Sequence, residues 1–377
     1  MTLPKSINTL KLGSALLCCL GLLALPAQAL VTCANPAASA TSISQPAGDA
    51  PRIARRLAGV EAPGAEADPA FSQYAAAANT GWQTYVQSFG RPLYAWAGRE
   101  IRQDAGRTVF YPFSGPDLPS VLAVYPAAAH FVMISDQYAT NYFDPFALQE
   151  PEHSKIVGEL GASWERFGRL GFFLTQELNK GGGRKYHLSP SMILMAFAVR
   201  LGYEVRDIRP TCLDPADLSI RPDASKNVRW GSVRLELRKD GRDIIVDYLQ
   251  MDLSDRGLGK HAEARALIEA LSTGPVLLKA ASHLPQKPDF SIIRNAILAH
   301  SPLVVQDETG LEYAAMAQSF NVRLYGEYVG AHRLFKEATN PSLVTAYKER
   351  ARDVRPLDFR LGYEKEAGSA IQVGTRK

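Results

Sequence analysis

The chain has 377 residues, 46% of them hydrophobic and 21% charged. That balance excludes a disordered chain or a fibre and leaves room for one large domain or two small ones. The formal charge is +4, but residues 1–29 hold Lys5 and Lys11 and no acid, and without them 40 basic side chains face 38 acidic ones. A near-neutral surface with no long basic run speaks against nucleic acid as the main partner.

The chain opens with Lys5 and Lys11, an apolar run from Leu12 to Leu25, Pro26, and an A-x-A cleavage site at Ala27-Gln28-Ala29. This is the layout of a secretory signal peptide, and the apolar run is short of the roughly 18–20 residues that cross a bilayer. The chain is therefore expected to be exported, to the periplasm or the cell exterior, with no transmembrane span after cleavage. Leu30-Val31-Thr32-Cys33 loosely imitates a lipidation box, so anchoring at Cys33 is a minor alternative. Cys18 and Cys19 would leave with the leader. Cys33 and Cys212 are left as a candidate disulfide in an oxidising compartment, the alternative being two unpaired thiols.

Residues 30–70, rich in Ala, Pro, Gly and Ser, read as a disordered linker. From Phe71 to Phe89 the spacing of Tyr74, Ala78, Trp82, Tyr85 and Phe89 predicts an amphipathic helix. Residues 107–113 read as a strand, broken by Ser114-Gly115-Pro116-Asp117. A short helix over Leu118–Tyr125 and a strand over His130–Ser135 complete a βαβ unit. Residues 154–179 and 189–201 read as helices inside an insertion spanning about 144–202, the second opened by Ser189-Pro190.

Val228–Arg238 and Asp243–Leu253 flank Asp240-Gly241, a hairpin signal. In the second of these strands Ile244, Val246 and Tyr248 point one way, and Ile245, Leu249, Met251 and Leu253 point the other. A strand apolar on both faces belongs in the middle of a covered sheet. A helix around 264–271, a strand at 275–279, a helix near 289–299, a strand at 302–306 and a helix opened by Asn340-Pro341 follow. The fold class is α/β: a Rossmann-like mixed sheet with flanking helices, one hairpin and a helical insertion. A single domain over 71–363 ends in a C-terminal tail, 364–377.

The chain has no G-x-S-x-G elbow, no G-x-x-x-x-G-K-[ST] loop and no H-E-x-x-H. Its seven histidines are never closer than 17 residues, which gives no local metal pair. Neither a metal nor another cofactor is expected. Gly181-Gly182-Gly183 reads as a flexible stop between helices rather than an anion cradle. The informative pattern is positional, because ligands of open α/β sheets sit beyond the carboxyl ends of the strands. Those exits carry Ser114, Gly115 and Asp117; Asp136; Asp252, Ser254 and Asp255; Ser282 and His283; and Gln306, Asp307 and Glu308. Each has a structural alternative, above all helix capping for Asp117.

Two resemblances bear on this edge. Phe113-Ser114-Gly115-Pro116-Asp117, with Asp136 at the next strand end, loosely resembles the nucleotide-binding start of Rossmann-like proteins, including methyltransferases. With one glycine, and with Pro116 removing a backbone donor, it implies architecture rather than cofactor. More extensively, over residues 107–363, three groups of motifs resemble a family of uncharacterised exported bacterial proteins. The first is Tyr111-Pro112-Phe113-Ser114-Gly115-Pro116-Asp117 with Asp252-Leu253-Ser254. The second is Leu278-Lys279-Ala280-Ala281-Ser282 with Phe290-Ser291-x-x-Arg294. The third is Gln306-Asp307-Glu308-Thr309-Gly310, Tyr325-Gly326-x-Tyr328 and Leu361-Gly362-Tyr363. Glu308 stands where many members carry a second aspartate, and the resemblance implies no activity.

The expected function is binding of a small polar or glycan-like ligand along the strand-exit rim, where Trp96, Tyr142 or Trp164 could stack on a sugar. One alternative is a hydrolase with Asp117 and Asp307 as its acid–base pair and Ser114 or His283 positioning substrate or water. Another is a non-enzymatic envelope scaffold, which would show an exposed apolar patch.

Overall fold

The computed structural model describes residues 32–33, 49–60, 69–103, 106–171, 188–223, 230–363 and 369–377. The signal peptide, most of the linker and the Gly181–Gly183 run lie outside the described residues.

One ten-stranded mixed sheet organises the chain. Its strands are β1 (Thr108–Pro112), β2 (His130–Ser135), β3 (Glu204–Leu213), β4 (Ile220–Pro222), β5 (Ser232–Lys239), β6 (Arg242–Gln250), β7 (Val276–Leu278), β8 (Leu303–Asp307), β9 (Phe320–Tyr325) and β10 (Ile371–Arg376), in the spatial order β4-β3-β5-β6-β2-β1-β7-β8-β10-β9. The central five, β6-β2-β1-β7-β8, are parallel. Both flanks are antiparallel. The predicted hairpin forms: Lys239 faces Arg242 across two residues with positive φ, Asp240 at 51° and Gly241 at 77°, as a tight turn matched to strand twist requires.

Side chains alternate between two cores, as period-2 geometry demands. Val109, Tyr111, Phe131 and Met133 pack on one face, against α1 (Ala50–Leu57), α2 (Pro69–Tyr85), α3 (Arg91–Glu100), α4 (Leu118–Val124), α5 (Glu152–Leu170) and α6 (Pro190–Arg200). Phe110, Val132 and Ile134 pack on the other. There they meet α7 (Asp255–Lys260), α8 (Ala262–Leu271), α9 (Ser291–His300), α10 (Tyr313–Ser319) and α11 (Pro341–Glu349). Helices that precede β3 cover one face and helices that follow β6 cover the other. On the first face α2 crosses α5 through Gly81 and Gly168, where a Cβ on either residue would run into the partner helix's backbone.

Several expected boundaries move. Residues 50–57, read as linker, form α1, and Ala50, Ile53, Ala54 and Leu57 are buried because they recur at helical spacing. The predicted helix 71–89 continues through a π-helical turn, Val86–Gly90, into α3. Residues 371–376, read as tail, are β10, inserted between β8 and β9 and buried through Val373. Cys212 lies on β3 rather than in a loop, and it is joined to Cys33 by a disulfide. Among the described residues no helix is long and apolar enough to cross a membrane.

Candidate functional site

Numbered in chain order, the five parallel strands run 3-2-1-4-5 across the sheet. This is the order of a doubly wound α/β sheet, in which the chain reverses direction between the first and fourth strands. Here that switch point falls between β1 and β7. Parallel pairing also carries the exits of all five strands to one edge, so residues 113–117, 135–137, 250–255, 279–283 and 306–310 lie along it.

At the switch point the exit of β1 meets the exit of β7 in a buried ion pair. Lys279 Nζ lies 2.7 Å from Asp117 Oδ2, and both residues are almost inaccessible. The ammonium also donates to Ser120 Oγ at 2.9 Å and to the Gly171 carbonyl at 2.8 Å, so all three of its protons are used. Tyr111 donates its hydroxyl to the same Asp117 oxygen at 2.9 Å. Burial, reinforced by the Asp117 charge, holds the Tyr111 phenol well above its ordinary range. The second Asp117 oxygen accepts the Ser120 amide at 3.3 Å and caps α4. Every oxygen of Asp117 is thus engaged inside the protein. In this arrangement Asp117 is a helix cap and the counter-ion of Lys279.

Asp307, the other expected acid–base residue, is also committed internally. One oxygen accepts the Ala280 amide at 2.7 Å, and the other accepts the Thr309 amide at 2.9 Å and hydroxyl at 2.5 Å. Thr309 in turn accepts the Ala281 amide at 2.7 Å. Burial pushes the Asp307 carboxyl above the usual range, against the opposing pull of its three donors. Gly362 passes so close that a Cβ there would collide with this carboxylate. This cluster ties down the β7 exit, where Ala280, Ser282 and His283 all sit at φ between 51° and 57°. Across the switch point Phe113 at the β1 exit is left-handed too, at φ 59°.

The remaining expected residues divide into structural and available groups. Ser254 caps α7 through the Gly257 amide. Asp255 accepts the Ser291 hydroxyl at 2.6 Å and the Ile292 amide at 2.8 Å, capping α9. Gln306 closes its own turn with two bonds to Leu311, and Glu308 is buried. His283 is buried against Phe335 with Nδ1 3.3 Å from Gln286 Oε1, and burial lowers its imidazole. Trp96 and Trp164 are core residues and are not free to stack on a sugar, whereas Tyr142 is half-buried and packs edge-on against Trp230.

Three groups at the edge, Gly115, Ser282 and Asp136, stay at least partly accessible. Gly115 has open space where a Cβ would project. Its neighbour Ser114 is buried and donates to the Ile134 carbonyl. Ser282 shares a 2.9 Å bond with the Tyr363 hydroxyl. Asp136 is exposed, yet the surrounding protein desolvates its carboxyl and raises it, with repulsion from Asp252 adding to the effect.

Lys279, Tyr111, Thr309 and Tyr363 organise this edge and were not among the expected site residues. A lysine closing the apolar strand Val276–Leu278 was the one visible signal. At the opposite edge a polar ladder crosses the sheet. Asp247, fully buried, accepts two bonds from Arg234 (2.7 and 2.8 Å) and lies 2.7 Å from His130 Nε2. Among the described residues no group of three His, Cys, Asp or Glu side chains is placed to hold a metal ion.

The order of the strands and the polar edge beyond them define an α/β protein of the doubly wound class. Compared with known protein families, curated proteins and solved structures, the chain matches none.

Proposed function

We propose that the protein is an exported binding protein that takes a small, uncharged, polyhydroxylated ligand, a sugar or short glycan, at the carboxyl edge of its sheet. The observation that carries this is the placement of backbone strain. Four non-glycine residues in the left-handed region, Phe113, Ala280, Ser282 and His283, flank the switch point on both sides. Such conformations persist only where surrounding structure over-determines them, and they gather at ligand sites. Asp307, Thr309 and Tyr363 supply that over-determination.

The charge of the edge selects the ligand. Asp136 and Asp252 accept hydrogen bonds from hydroxyl groups and repel phosphates and carboxylates. Gly115 lets a ligand approach the backbone beside them. A hydrolase reading is disfavoured because Asp117 and Asp307 are both consumed by internal partners. A thermal-shift screen with neutral oligosaccharides and their uronate counterparts tests the proposal. Stabilisation by a neutral sugar and none by its uronate is the expected result, and equal response to both, or to neither, overturns it.

A further inference from the structure

At the opposite, amino-terminal edge of the sheet lies a cavity of about 530 Å³, within the size range of small-molecule sites. Its floor is apolar, built from Val109, Tyr125, Ala128, Pro275 and Leu303. Its rim carries four guanidinium groups, Arg99, Arg102, Arg107 and Arg323, and one acid, Glu100. That acid is already neutralised, since its carboxylate accepts the Tyr325 hydroxyl at 2.7 Å and pairs with Arg355 at 2.5 Å and Arg323 at 3.5 Å. Arg102 and Arg107 each make a further interaction, and by sequence residues 99–107 together with Arg323 hold four arginines against two acids. Arg99, Arg102 and Arg107 are exposed. A nearly neutral chain has therefore set cations around one cavity and gathered Asp136, Asp252, Asp255, Asp307 and Glu308 at the far edge.

We propose that this cavity is a second binding site, for a small organic anion: one carboxylate or phosphate carried on an apolar body. The anion meets the arginine rim, where guanidinium forks match the geometry of carboxylate and phosphate, and the body covers the apolar floor. The proposal is independent of the sugar site at the other edge.

Calorimetric titration of the purified protein with phenyl phosphate and with octanoate tests it, using phenol and octanol as neutral counterparts. At least one anion is expected to bind, its neutral counterpart not measurably. The Kd should rise at least tenfold in the double variant Arg99→Gln/Arg102→Gln, and at least fivefold between about 0.05 M and 0.5 M salt as the charges are screened. Both substitutions are at exposed positions, so circular dichroism should show an unchanged fold. Asp136→Asn should leave the Kd unaltered, which separates this site from the carboxyl edge. Absence of binding by both anions at millimolar concentration, equal binding of a neutral counterpart, or an unchanged Kd in the double variant overturns the proposal. Sedimentation with anionic phospholipid vesicles without binding of either soluble anion also overturns it, because a charged surface rather than a cavity would then be at work.

Discussion

Replacing Asp117 by Asn is expected to lower the free energy of unfolding by about 3–5 kcal/mol, the range for removing one partner of a buried ion pair. Asn keeps an acceptor for the Ser120 amide, so capping of α4 survives in part. What it removes is the charge opposite Lys279, whose ammonium is then buried with only neutral partners. Lys279→Met should cost a similar amount for the converse reason, leaving the Asp117 carboxylate without its cation. The double variant Asp117→Asn/Lys279→Met should recover much of the loss, since replacing both partners of a buried pair is often close to neutral. Denaturant titration checks all three, with a shifted midpoint and an unchanged slope. A single variant as stable as wild type would show that the pair is not buried as described.

Asp307→Ala is expected to be comparably damaging, by about 3–5 kcal/mol, because it strands the Ala280 amide and the buried Thr309 amide and hydroxyl at 1–3 kcal/mol per unsatisfied group. Asp307→Asn should cost less, about 2 kcal/mol, since one amide oxygen still accepts while the NH₂ opposes a donor. The two substitutions differ from those at Asp117 in a second way. Asp307 holds the amide of Ala280, the first of the left-handed residues Ala280, Ser282 and His283, so its loss should also quicken amide hydrogen exchange in that loop. Exchange there at the wild-type rate would show that the strain is held by something else. The pH dependence has a definite sign. Burial raises the Asp307 carboxyl in the folded chain, so wild type binds a proton there more readily folded than unfolded. Its stability from this group then rises as pH falls toward the unfolded value of about 4. Asp307→Asn lacks that rise, so the gap between the two proteins should widen in acid.

The parallel centre of the sheet was legible because its strands are apolar on both faces, and only a fully covered sheet buries such a run. Lys239-Asp240-Gly241-Arg242 announced its turn through residues that tolerate positive φ. The flanks were harder to see. Strand β3, with Arg206, Asp207 and Arg209 among its ten residues, is half exposed toward the edge of the sheet, and charge hides its alternation. Strand β10 carries Gly374 in a tight spot against Met316 and Phe320, and a glycine within a short apolar segment reads as loop. Helix α1 follows a proline- and alanine-rich stretch, and its apolar stripe is only two turns long.

At the site, the sequence pointed to the carboxyl edge and left open which of its acidic and hydroxyl residues are caps. Asp and Ser serve both as helix caps and as ligand groups, and Ser254, Asp255 and Asp117 show the first use. What decided Asp117 was Lys279, 162 residues away in the chain, a partner that no local pattern reveals. The strain at Ala280, Ser282 and His283 was equally hidden, because none of these residue types advertises a left-handed backbone as glycine does.

The most direct measurement is a calorimetric titration of wild type and Asp136→Asn with the neutral oligosaccharide that stabilises the protein most. Asp136 is accessible and its charge is disfavoured in the folded state, so neutralising it should leave the unliganded protein at least as stable as wild type near pH 7. The Kd is predicted to rise at least tenfold, about 1.4 kcal/mol. Equal affinity in the two proteins would contradict a ligand site at the carboxyl edge.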